Sequence, residues 1–162
     1  MNIREYFGDT DTMFDYIEAS DNYKNGSFSS VHILDNDYVL KVTDDEAYLS
    51  FLKVVEMCND TKILKHLPII YDRITIECVD YILMKRLYEF ESENEWEAEC
   101  AGYADKDSSI WWDICDSLNN TFNYLNNQSK SMNYKYLDDY RTSNLMETEE
   151  GIIVVTDPWC VP

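Results

Sequence analysis

Apolar residues near the start of the chain fall at Ile3, Phe7, Met13, Phe14 and Ile17. The last three have helical spacing, and Asp9, Thr10 or Asp11 can cap that helix. Residues 21–25 are polar and turn-like. Two strands are expected at 28–34 and 38–42, with a turn at Asn36-Asp37 between them. Asp44, Asp45 and Glu46 suit the positive end of a helix running to about Asn59. Its apolar stripe is Tyr48, Phe51, Leu52, Val55 and Cys58. Residues 59–65 read as a loop or short turn, and 67–71 as an extended segment starting at Pro68. Residues 74–78 and 81–84 then form a hairpin turning at Asp80. The N-terminal half is thus about five short strands with one inserted helix.

The second half has a different rhythm. From Ser108 onward, Ile110, Trp111, Ile114, Leu118, Phe122 and Leu125 recur at three- and four-residue steps, and a polar turn at 126–130 ends that helix. The run Ile152, Ile153, Val154 and Val155 is β-branched throughout and reads as a buried strand. Leu145 and Met146 begin a preceding strand, and a hairpin through 147–151 joins the two. That pairing brings Asn144 and Asp157 toward one end of a sheet.

Composition narrows the class. The chain has 162 residues, 45% of them hydrophobic, enough for one compact domain or two small lobes. Thirty-two acidic residues against 13 basic give a formal charge of -19. Such a charge opposes direct binding to nucleic acid or anionic membrane, and suits a partner with a basic surface or imitation of a polyanion. Glutamate occupies every odd position from Glu89 to Glu99. In a strand these carboxylates would share one face about 6.6 Å apart, close to the phosphate repeat of a DNA strand. In a helix they would spread around the cylinder. Five cysteines without a CxxC pair suggest free thiols in a reducing cytosol, and two histidines without HExxH give no zinc motif. No stretch approaches the ~20 apolar residues of a membrane span. The expected location is the cytoplasm.

Candidate chemistry lies in three places. Gly26 can let the backbone approach a ligand, and the small residues Ser27, Ser29 and Ser30 leave room for it. Lys41 shares a strand face with Val39 and Thr43. Turned inward it needs an anionic partner, with Glu46 and Glu56 as candidates; turned outward it is an ordinary surface lysine. Asp139, Asn144 and Asp157 offer the oxygen ligands that Mg²⁺ and phosphate chemistry require.

In order along the chain these features resemble the protein-kinase-like fold, and most closely the small early protein kinases of T7-like bacteriophages. The likeness covers nearly the whole sequence. GSFSSV, with Gly26, Ser27, Phe28, Ser29, Ser30 and Val31, resembles a shortened phosphate-covering loop. VLKV at 39–42 supplies Lys41 as the lysine for the α/β-phosphates. HLPIIYD at 66–72 is similar to a segment those phage proteins carry after the first helix, and YILMKRL at 81–87 to the last strand and hinge. DYRTSNLM at 139–146 resembles the catalytic loop, with Asp139 as catalytic aspartate and Asn144 as metal ligand. VVTDP at 154–158 supplies the metal-binding Asp157, with a proline where most kinases have the phenylalanine of DFG. Arg141 stands where the phage relatives usually carry histidine.

The resemblance implies an α+β architecture, a minimal protein-kinase-like fold. Residues 1–87 would form an N-lobe with an antiparallel sheet and one helix. Residues 88–162 would form a reduced, mostly helical C-lobe with a small catalytic-loop hairpin. Four residues follow Pro158, so an activation segment and a peptide-docking platform are expected to be missing. The implied function is transfer of phosphate from ATP, with Mg²⁺, to serine or threonine of host proteins in the host cell cytoplasm. Two alternatives stay open. One is a catalytically inactive, DNA-mimic-like inhibitor of a basic host protein such as RNA polymerase or a defence nuclease. The other is phosphotransfer onto a small molecule.

Overall fold

The computed structural model describes residues 1–26, 28–90, 108–136 and 144–160, which group into two units interleaved along the chain. One unit is Met1–Glu46 with Ile69–Arg86; the other is Ala47–Pro68 with Leu87–Pro162.

In the first unit β1 (Tyr23–Asn25), β2 (Ser29–Ile33), β3 (Tyr38–Thr43), β4 (Ile70–Ile76) and β5 (Val79–Lys85) make an antiparallel sheet in the order β1-β2-β3-β5-β4. The β2–β3 turn is held by Asp35, whose Oδ1 accepts the amides of Asp37 and Tyr38. That is the self-bonding that makes aspartate a turn residue. Leu40 on β3 stands opposite Leu83 on β5, and both are fully buried against Ile3 and Met13. Those last two come from α1 (Ile3–Phe7) and α2 (Thr10–Ala19). Asn2 and Glu5 form a capping box on α1, and Asp9 caps α2 through the Thr12 amide, one of the three caps the sequence offers.

Several boundaries depart from the sequence pattern. Residues 23–25 form β1 rather than a turn. All three are exposed, and pairing with β2 alone makes them a strand. The extended segment at 67–71 contributes only its end, to β4. The β4–β5 hairpin turns at Glu77-Cys78, not at Asp80, with both residues in the left-handed region (φ 50° and 67°). Two consecutive positive φ values define the turn whose twist matches a tight hairpin. Asp80 is instead buried in β5, where it accepts from Arg73 Nε and from Thr75 Oγ1.

The second unit takes α3 (Glu46–Met57) from its second residue on, with Ala47, Tyr48, Phe51, Leu52, Val54 and Val55 buried. The segment read as a loop after it contains one helical turn, α4 (Thr61–Leu64), capped by Asp60. The long helix α5 (Ser108–Ser131) buries Leu118 and Leu125. It runs past the expected stop at 126–130. The end comes where Asn133 adopts φ 62° and the Tyr134 amide bonds back to the Ser129 carbonyl. Buried Thr121 and Ser129 stay compatible with the helix by donating to the carbonyls of Ser117 and Asn126. Two small antiparallel pairs complete the unit: β6 (Lys135–Tyr136) with β9 (Trp159–Cys160), and β7 (Leu145–Glu147) with β8 (Ile153–Val155). The alternating glutamates lie outside the described residues from position 91 on. Among the described residues, no helix is long and apolar enough to cross a membrane.

Candidate functional site

The hairpin expected from the β-branched run is present. Leu145, Met146 and Glu147 pair with Val155, Val154 and Ile153, and all three β8 residues are buried. This register brings the Thr156 amide to the Asn144 carbonyl at 2.9 Å. Asn144 and Asp157 therefore stand at one end of the hairpin. Both are half-buried, and Oδ1 of Asp157 is shut off from solvent. Asp139 lies outside the described residues.

Asp157 is fixed from both sides. Before it, the Val155 amide donates to the His66 carbonyl at 2.9 Å, and the His66 ring reaches the Ile153 carbonyl through Nδ1 at 2.8 Å. After it, Trp159 is 2% exposed, meets Phe51 of α3 edge-on at 5.9 Å and stacks on Tyr134 at 5.8 Å. Tyr134 in turn accepts from Ser50 Oγ at 3.1 Å. A side chain between two such anchors loses little further freedom when it binds a ligand. Burial first, and then the charge of Asp157, hold the Tyr48 phenol far above its usual range, so Tyr48 stays protonated.

In the first unit Lys41 occupies the third strand, half-buried between Val31 on β2 and the fully buried Ile82 on β5. Strand alternation puts it on the opposite sheet face from Leu40 and Val42. The turn ahead of it is tight. The Gly26 amide donates to the Ser29 carbonyl at 2.7 Å, which engages that amide within the turn. Phe28 at the tip is 70% exposed, and Ser27 lies outside the described residues. Ser29, Ser30 and Val31 follow on β2, where Ser30 Oγ bonds His32 Nε2 at 3.0 Å. The buried Thr43 links this turn to the next helix. Its hydroxyl donates to the Phe28 carbonyl at 3.0 Å and accepts the Asp45 amide at 3.1 Å. Glu46 opens α3 and Glu56 stands near its end, both exposed. Ten helical residues separate them by about 15 Å along the axis, so the two carboxylates cannot both reach one ammonium group.

Among the described residues, no three His, Cys, Asp or Glu side chains gather as a metal-binding set. The Asn144–Asp157 pair is of another kind, one carboxamide and one carboxylate. Oxygen donors of this type suit Mg²⁺, which keeps several waters and takes few protein ligands. Residues that the sequence pattern does not assign to the site, and that brace Asp157, are His66 and Trp159. Only His66 had a visible signal, as one of two histidines in the chain. A scan of protein-family models finds no match to this sequence, and a search of curated proteins finds none either.

Proposed function

We propose that the chain is a kinase-like phosphotransferase that moves the γ-phosphoryl group of Mg-ATP onto a serine or threonine hydroxyl of a host protein. The observation that carries this reading is the β7–β8 register, which sets Asn144 and Asp157 at one end of a hairpin. Further support comes from Lys41 on a third antiparallel strand that leads directly into a helix, the context in which a phosphate-binding lysine of this kind is expected.

On this reading Lys41 neutralises α/β-phosphate oxygens, and Asn144 and Asp157 hold Mg²⁺. The metal, when bound, offsets the negative charge that builds up between the β- and γ-phosphate oxygens. Asp139, given its role by the sequence motif, accepts the proton of the attacking hydroxyl. The hydroxyl oxygen bonds to the γ-phosphorus as the bond to the β–γ bridging oxygen breaks, and ADP leaves. Positioning and charge supply most of the rate in such a reaction, and a small chain can provide both.

A second reading, an acidic inhibitor of a basic host protein, is favoured by the charge of -19 and by engagement of the Gly26 amide within its own turn. One experiment separates the two. The protein is incubated with Mg²⁺, γ-labelled ATP and bacterial lysate, beside Asp139→Asn and Asp157→Ala. Label transfer by the parent chain alone, with an ATP- and Mg²⁺-dependent rise in Tm, is the expected result. No transfer and no rise in Tm would sink the phosphotransferase reading. Salt-sensitive binding of purified RNA polymerase by the Asp139→Asn variant would then favour the inhibitor.

A further inference from the structure

The second unit contains a depression of about 300 Å³ that takes no part in the phosphotransfer proposed above. Lys62 on α4 and Lys65 just after it line one side; Asp116, Ser117 and Asn120 on α5 line the other. In a chain with 32 acidic and 13 basic residues, two lysines facing one carboxylate across a hollow reverse the prevailing sign. Neither lysine forms an ion pair among the described residues. The nearest carboxylate in sequence, Asp60, turns its Oδ1 to the Lys62 backbone amide at 2.9 Å as the cap of α4.

We propose that this depression binds the phosphate group of a small phosphomonoester. Two ammonium groups and the Asn120 carboxamide supply charged and neutral donors for a tetrahedral dianion. The volume suits a ligand the size of a phosphorylated amino acid, at the lower end of small-molecule sites. Asp116 disfavours a second anionic group on its side and favours an amine or hydroxyl there. A phosphomonoester carrying an amino group meets both demands.

The wall of the depression contains its own reporter. Ser117 Oγ lies 2.8 Å from His66 Nε2, and His66 Nδ1 lies 2.8 Å from the Ile153 carbonyl. A carbonyl only accepts, so Nδ1 carries the proton; burial holds the ring below its ordinary range, which leaves Nε2 to accept from the Ser117 hydroxyl. The ring is neutral. The charged groups around it are Lys65 on its own segment, Lys62 on α4 and Asp116 on α5, while β8 presents the Ile153 carbonyl. A dianion in front of Ser117 favours the protonated ring, so ligand binding raises the titration midpoint of His66. His32, in the other unit, is the internal control.

The chain has only two histidines, so two Cε1–H resonances in an NMR titration read the outcome directly. O-phosphoserine, inorganic phosphate and sulfate are each added at constant ionic strength. The expected result is a saturable shift of the His66 signal with His32 unmoved, and tighter binding of O-phosphoserine than of phosphate. In sulfate, whose charge is constant, the His66 midpoint moves up relative to chloride. Lys62→Gln with Lys65→Gln, at an unchanged urea midpoint, weakens binding by about tenfold or more. The proposal is overturned by equal shifts of both histidines, by a His66 response that survives the double substitution, or by binding of phosphate without O-phosphoserine.

Discussion

Replacing His66 tests how the second unit holds Asp157. The ring is 1% exposed and spans two elements, with Nδ1 at 2.8 Å from the Ile153 carbonyl and Nε2 at 2.8 Å from Ser117 Oγ. His66→Ala leaves a buried carbonyl and a buried hydroxyl to find new partners, at about 1–3 kcal/mol each. It also removes most of a ring from a packed interior. A total loss of about 3–5 kcal/mol is expected, a large share of the roughly 5–15 kcal/mol that holds a domain. With a urea slope of about 2 kcal/mol per M, the midpoint falls by about 2 M. The same ring makes stability depend on pH. Burial holds the folded His66 below its ordinary range, while the unfolded ring titrates near about 6.5. The contribution is complete above that pH. It is lost as pH falls through it toward the depressed folded value, with a slope of up to about 1.4 kcal/mol per pH unit. His66→Gln removes this contribution and leaves the one from His32, whose burial also lowers its pKa. Urea denaturation at several pH values between 5.5 and 7.5 reads both effects. A loss under about 1 kcal/mol for His66→Ala, or a wild-type slope in His66→Gln, would refute the reasoning.

Three other substitutions give distinct readouts. Trp159→Ala should cost about 3–5 kcal/mol by urea denaturation. Trp159→Phe should cost about 1 kcal/mol, because it keeps a ring against Phe51 and Tyr134 and removes a buried Nε1–H that has no hydrogen-bond partner among the described residues. Equal losses for the two would contradict that packing. Asp80→Ala should destabilise by about 2–4 kcal/mol, since it strands Arg73; the 24% exposure of that arginine keeps the loss below that of a fully buried pair. Arg73→Met with Asp80→Leu should recover most of it, and no recovery in a double-mutant cycle would rule the pair out as the cause. Gly26→Ala should cost under about 1 kcal/mol, because the new Cβ meets Ser29 Oγ at 3.2 Å and that hydroxyl can rotate away. A larger change in Tm would mean that the turn cannot yield.

Sequence pattern gave the elements wherever burial is one-sided. The stripe from Tyr48 to Val55 is a helix face, and the run from Ile153 to Val155 is a buried strand whose pairing sets Asn144 beside Thr156. Pattern failed where partners rather than residue type decide. Tyr23, Lys24 and Asn25 bury nothing, and only their bonds to β2 make them a strand. Glu77 and Cys78 lack the chemistry that usually marks two positive φ values, so the pattern points instead to Asp80, which looks like a turn residue but pairs inside the sheet. Asn126 to Lys130 is polar enough to pass for a helix stop, yet Ser129 satisfies its hydroxyl within the helix. At the candidate site, residue types suggested Asp157 and Asn144. Their supports, His66 and Trp159, come from segments 91 and 2 positions away from Asp157 and could be found only once the strands were paired.

The amide of Ile3 donates to Asp72 Oδ2 at 2.8 Å across a separation of 69 residues, and Ile3 shares its core with Leu83. During synthesis at about 5–20 residues per second, the first helix leaves the ribosome several seconds before the strand that receives it. Between the two emerges α3, most of which belongs to the other unit and whose Phe51 meets Trp159, made later still. Neither unit can close its core when its first element appears. The chain therefore carries apolar helices in waiting for much of its synthesis, and its many carboxylates help keep that unfinished form in solution.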